Sequence, residues 1–204
     1  MIGVHATIRG IACDQNSNPC QARVELHSVV KYDIENLGVD HPALLTGNFQ
    51  ACAVSRCRAV SASPYSLEID CKNLPRTHPG SEICDLAWQN ASEAIADKAE
   101  KSYQPRRLTE EAAIGLCAVA FAVLHEGEIT EVSAHETGVD YWVDDRRAVV
   151  EVSGIEKASA GTLGRRHSEK EQQLRNGALF QAGFPGYVFV VDFGQKKSRL
   201  SHYR

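Results

Sequence analysis

The sequence predicts an α+β or α/β chain: a separate β-rich region over residues 1–80, then a helical connection and an α/β domain over 81–204. Three observations carry this. Apolar residues near the N-terminus recur with the period of two expected of half-buried strands. From Thr109 onward the elements read as helix, three strands, helix, strand. The segment Tyr187–Phe193 (YVFVVDF) is almost continuously apolar, as in a strand buried on both faces.

In chain order, Val4, Ala6 and Ile8 alternate with His5, Thr7 and Arg9, and Ala22, Val24 and Leu26 with Arg23, Glu25 and His27. The turn formers of residues 14–19 join them as a hairpin with a long loop. Further strands are expected over Gln50 to Val60 and Tyr65 to Cys71. The Pro- and Gly-rich stretch from Leu74 to Gly80 is read as a domain boundary. Asp85 is then expected to cap a helix running to about Ser102, ended before Pro105. Thr109 caps the next helix, with Glu110 and Glu111 in its first turn and Gly127 closing it. Short strands follow over Ile129 to Ala134, Val139 to Val143 and Ala148 to Val152, the last two joined by the turn Asp144-Asp145-Arg146-Arg147. A loop over Gly161 to Gly164 leads into a polar helix from Ser168 to Ala182.

With 43% hydrophobic and 24% charged residues in 204, a packed core is expected and disorder is not. The apolar run Ala112 to Leu124 is too short to span a bilayer, so no membrane partner is expected. The N-terminal residues show no secretory pattern, which makes the expected compartment cytoplasmic and the seven cysteines reduced. Their irregular spacing, without a CxxC pair, gives no reason to expect zinc. Net charge is −4, which argues against avid non-specific binding to DNA through a basic excess. His125-Glu126-Gly127-Glu128 lacks the second histidine of a zinc protease helix, since position 129 is Ile129.

The chemistry centres on Asp140 and Glu151. Gly138-Val139-Asp140 opens one strand and Val149–Ser153 fills the next, so hairpin pairing places the two carboxylates on neighbouring positions. An oxygen-only pair suits Mg²⁺ or Mn²⁺, which use one or two carboxylates and complete their shell with water and substrate phosphate. Glu151 within an apolar strand would be costly without a charged partner.

These residues, in this order of elements, resemble the PD-(D/E)xK nuclease superfamily, with the pattern nearest to Holliday junction resolvase-like members. The resemblance covers roughly Arg107 to Phe193 and implies a restriction-endonuclease-like αβββαβ core. It implies that Asp140 and Glu151 bind the metal, and that Glu111, or its neighbour Glu110, matches the acidic residue of the first helix. It also places Gln173 on the helix where several members carry a glutamine near the active site. The family's lysine, two residues after the acid, is Ser153 here, and Val139 stands where the family name has proline. A hydroxyl supplies no positive charge, so Lys157 and Lys170 are candidates for a migrated lysine. Arg165, Arg166 and His167 form a cationic cluster suited to phosphate contact.

The expected function is therefore Mg²⁺-dependent hydrolysis of DNA, with a role in restriction, repair or phage defence implied by the resemblance alone, and with self-association as a homodimer. The competing reading is a catalytically inactive nuclease-fold module that binds a protein partner, or itself, through the N-terminal region. Ser153 and the acidic net charge favour that alternative. An unrelated small domain with the same alternation of elements is a third.

Overall fold

The computed structural model describes residues 4–6, 28–76, 80–133, 139–157 and 161–204. The loop expected at 14–19, the strand at 22–26 and Gly138 lie outside these. Among the described residues the strands are β1 (Val4–Ala6), β2 (Ser28–Asp33), β3 (Tyr65–Lys72), β4 (Gly80–Ala87), β5 (Ile129–Val132), β6 (Tyr141–Val143), β7 (Ala148–Ile155), β8 (Gly186–Asp192) and β9 (Lys197–Tyr203). They form one mixed sheet of nine strands in the order β1-β2-β4-β3-β9-β8-β7-β6-β5. The helices are α1 (Leu37–Asp40), α2 (Gly47–Arg58), α3 (Asn90–Ser102), α4 (Pro105–Leu124), α5 (Thr162–Asn176) and α6 (Ala178–Gln181).

The strands on either side of residue 80 belong to the same sheet. β3 and β4 pair antiparallel across the stretch read as a boundary, and β3 pairs parallel with β9 near the C-terminus. The expected separate N-terminal β-rich region therefore shares its sheet with the C-terminal half. From α4 onward the order helix, three strands, helix, strand is present: β5, β6 and β7 run antiparallel, and β8 lies parallel to β7. Strand β9 adds a further hairpin that the sequence reading did not contain.

Two elements differ in kind from expectation. Residues 50–58 are helical, within α2, because their small side chains let the helix lie close against α4: a Cβ on Gly115 would meet the Phe49 carbonyl oxygen at 2.7 Å. Residues 80–87 form β4, with Cys84 and Leu86 buried by strand alternation, so helix α3 begins only at Asn90. Helix α4 starts at Pro105, which suits the first helical position, so Thr109 bonds back to the Pro105 carbonyl from inside the helix instead of capping it. It ends at Leu124, with His125 in the left-handed region at φ 54°. Helix α5 likewise begins at Thr162, within the stretch read as a loop.

Helix α4 is buried along nearly its whole length, packed between α2 and the sheet. It forms the main core with Leu67, Ile69, Val150, Phe189 and Leu200, while α5 and α6 cover the opposite face of β7 and β8 around Val149, Val188 and Leu174. Among the described residues no helix is long and apolar enough to cross a membrane. Cys52, Cys57, Cys71, Cys84 and Cys117 are buried free thiols, whereas Cys13 and Cys20 lie outside the described residues.

Candidate active site

Strand β6 is short and β7 long, and that mismatch builds the site. Tyr141 pairs with Val150, and among the described residues no strand pairs with β7 from Glu151 onward on the side of β6. Asp140 sits where that pairing ends. Its backbone N–H still donates to the Val150 carbonyl at 3.3 Å, and its Oδ2 accepts the otherwise unpaired Val152 N–H at 2.8 Å. A cleft of about 590 Å³ opens here between α4 and α5, lined by Asp140, Lys170 and Gln173 among others.

Glu151 is fully buried beside Asp140. Lys170 reaches it from α5: Nζ donates to Glu151 Oε2 at 2.6 Å and lies 3.5 Å from Asp140 Oδ2. One turn on, Gln173 Nε2 donates to Glu151 Oε1 at 3.3 Å. Burial, and next the charge of Asp140, push the Glu151 carboxyl up to about 7, with Lys170 pulling the other way. A single ammonium thus faces two carboxylates, and the pair is under-neutralised. That donor set fits a hydrated divalent cation: the oxygens are hard, Asp140 is partly open to the cleft, and there is room for water and a phosphate. Among the described residues no group of three or more His, Cys, Asp or Glu side chains converges, and the described residues offer such a cation the two carboxylates of Asp140 and Glu151.

The remaining sequence candidates divide. Ser153 lines the cleft two residues beyond Glu151 and accepts a hydrogen bond from Arg166 Nε at 2.9 Å. Lys157 is exposed beyond the end of β7, near Gly194, and does not line the cleft. A strand rises about 3.3 Å per residue, which carries Lys157 far from Glu151. Glu111 is buried and paired with Arg107, whereas its neighbour Glu110 lines the cleft. Arg165, Arg166 and His167 do not act as one cluster, because helical residues are about 100° apart and point three ways. Arg166 reaches the cleft, Arg165 points outward and lies 3.9 Å from Glu169, and His167 is buried.

Comparison with protein families, with curated proteins and with solved structures finds no match. The reading of this site therefore rests on its geometry and on the residues themselves.

Residue reasoning missed Arg106 and Arg107, which line the cleft from the first turn of α4. The signal is an Arg-Arg pair one turn before Glu110 and Glu111, which a helix capped at Thr109 leaves outside and the helix from Pro105 includes. Tyr141 and Trp142 face opposite sides of the sheet. Tyr141 packs edge-on to Phe49, with centroids 6.4 Å apart, and Trp142 against Phe184 at 5.3 Å.

His167 offers a test of the packing behind the site. Burial, then the nearby Arg199 guanidinium, push its imidazole down to about 4 from an ordinary 6.5, and its Nε2 has no hydrogen-bond partner among the described residues. Its folded value lies below its unfolded one, so the unfolded chain takes up the proton first. Its contribution is constant above the unfolded value, falls as pH drops from about 6.5 towards 4, and levels off below. The loss is on the order of 3 kcal/mol. Urea unfolding of His167→Leu across that range should show a shallower decline than wild type, and parallel curves would refute the assignment.

Proposed function

We propose that this chain hydrolyses phosphodiester bonds of nucleic acid with Mg²⁺ or Mn²⁺, on a restriction-endonuclease-like core formed by α4, β5, β6, β7, α5 and β8. One observation carries the reading. The positive charge missing at Ser153 is supplied from α5 by Lys170, whose Nζ is 2.6 Å from Glu151 and 3.5 Å from Asp140. A buried lysine held between two carboxylates at a cleft edge is an expensive arrangement for stability alone, because desolvation offsets most of the attraction. Functional sites are where such arrangements concentrate.

Asp140 and Glu151 would hold the cation. When bound, it polarises the scissile phosphate and makes a water more acidic. The chain's own residues do the rest. The Val152 N–H fixes the Asp140 carboxylate, and Gln173 and Lys170 fix that of Glu151. Lys170 also pulls against the burial that raises the Glu151 carboxyl, and presents a positive charge where negative charge grows on the phosphate.

The test is cleavage of labelled duplex, single-stranded and branched DNA in Mg²⁺, Mn²⁺ or EDTA, comparing wild type with Asp140→Ala/Glu151→Ala. The expected result is metal-dependent cutting by wild type alone. Absence of cutting on every substrate would favour the non-catalytic module, the reading that Ser153 and the −4 net charge support.

A further inference from the structure

We infer that the cleft is a track for one unpaired polynucleotide strand and that it excludes a duplex, an inference that rests on the nucleic-acid reading above. The reacting centre is recessed: Glu151 has no exposed surface, and Lys170 retains only about a tenth of its own. A flexible single strand can enter the cleft and bring a phosphate down to Asp140, whereas a duplex is a stiff rod whose backbone would rest on the rim.

Cations stand on both sides of the carboxylates. Arg106 and Arg107 line the cleft from the first turn of α4, and Arg166 from the first turns of α5. Each is held but not saturated. Arg106 Nε bonds Glu110 at 3.0 Å, Arg107 pairs with Glu111, and Arg166 bonds Ser153 and, through Nη1, Glu169 at 3.1 Å. A guanidinium has five N–H donors, and the exposed helical pairs of Arg106 with Glu110 and of Arg166 with Glu169 are weak, so phosphates can recruit these groups. A strand running from Arg166 on α5 to Arg106 and Arg107 on α4 would pass through the cleft that Asp140 also lines, with its phosphates within reach of cations from both helices.

Part of the cleft lining is apolar. Val132 lines the cleft and is 66% exposed, with Ile114 and Tyr141 also in the lining. Such a surface can meet the face of an unstacked base but finds no partner on a duplex, whose bases are stacked inside. The chain's acidic balance agrees, since duplex binding draws on a broad basic surface that this composition does not favour.

The experiment is fluorescence anisotropy of the whole chain, in EDTA, with a labelled thymidine oligonucleotide of about 12 nucleotides and a hairpin duplex of similar charge, over a salt series. Single strand should bind about ten-fold or more tightly than duplex at equal salt. The slope of log affinity against log salt for single strand should shrink by about 0.7 for each arginine removed, in Arg166→Ala and in Arg106→Ala/Arg107→Ala. Val132→Ser should weaken single-strand binding about five-fold. Equal or tighter duplex binding, unchanged slopes in both arginine variants, or a single-strand affinity untouched by Val132→Ser would each overturn the inference. Binding in EDTA needs no catalysis. The expected binding without cutting in Mg²⁺ would sink the nuclease reading and leave the track, and cutting with a duplex preference would do the reverse.

Discussion

Lys170→Met is expected to lower metal-dependent phosphodiester cleavage by about 10³-fold, the loss typical when a pre-placed charge is removed from a developing anion. The ammonium contacts both carboxylates and approaches from α5, not from β7. The chain should stay folded. Glu151 is already pushed up to about 7, so without Lys170 it takes a proton at neutral pH and no isolated charge is left buried. Far-UV circular dichroism and a melting curve would separate this from unfolding. The sharper arm is rescue: adding Ser153→Lys to Lys170→Met should recover about ten-fold or more, because Ser153 lines the same cleft two residues from Glu151. Full activity in Lys170→Met would remove the basis for the proposed chemistry, and Lys157→Ala should change nothing.

The second large effect is structural. Gly154→Val is expected to destabilise the fold by about 3 kcal/mol, lowering the melting temperature by roughly 6–12 °C. A Cβ there would lie 2.7 Å from the Thr109 carbonyl oxygen and 3.0 Å from the Ala113 Cβ. Backbone cannot turn aside as a flexible side chain can, so α4 would be pushed off β7. That contact also sets the distance from Arg106, Arg107 and Glu110 to Ser153, so residual folded protein should bind substrate less well. Gly164→Ala is the matched control. Its nearest neighbour is Arg199 Nη1 at 3.9 Å, and alanine in a helix is favoured over glycine by about 0.5–1 kcal/mol. A melting temperature unchanged in Gly154→Val would mean that the packing described is looser than these distances.

The carboxylate pair was legible because strand pairing is local. A four-residue turn between two apolar segments brings Asp140, one residue before the last pair of Tyr141 with Val150, beside Glu151, and an acid inside Val149–Val152 announces a site. The order of elements after Pro105 was legible for the same reason, since hydrophobic period separates helix from strand within a few residues. Small residues defeated that logic in α2, where Ala, Cys and Ser fit either state, and the decision fell to the close approach of Gly115 to Phe49. Strand β4 likewise owes its form to pairing with its neighbour β3 and with β2, about fifty residues earlier.

By itself, then, the sequence determined the mixed α and β character, the two acids and the absence of a lysine at Ser153. Only the tertiary structure decided that Lys170 and not Lys157 faces Glu151, that Glu110 and not Glu111 lines the cleft, and that Arg166 parts company with Arg165 and His167. It also joined the strands before residue 80 to those after it. The physical reason is shared: these outcomes depend on which face of a helix meets the sheet, and on pairings between distant strands, and neither is set by neighbours along the chain.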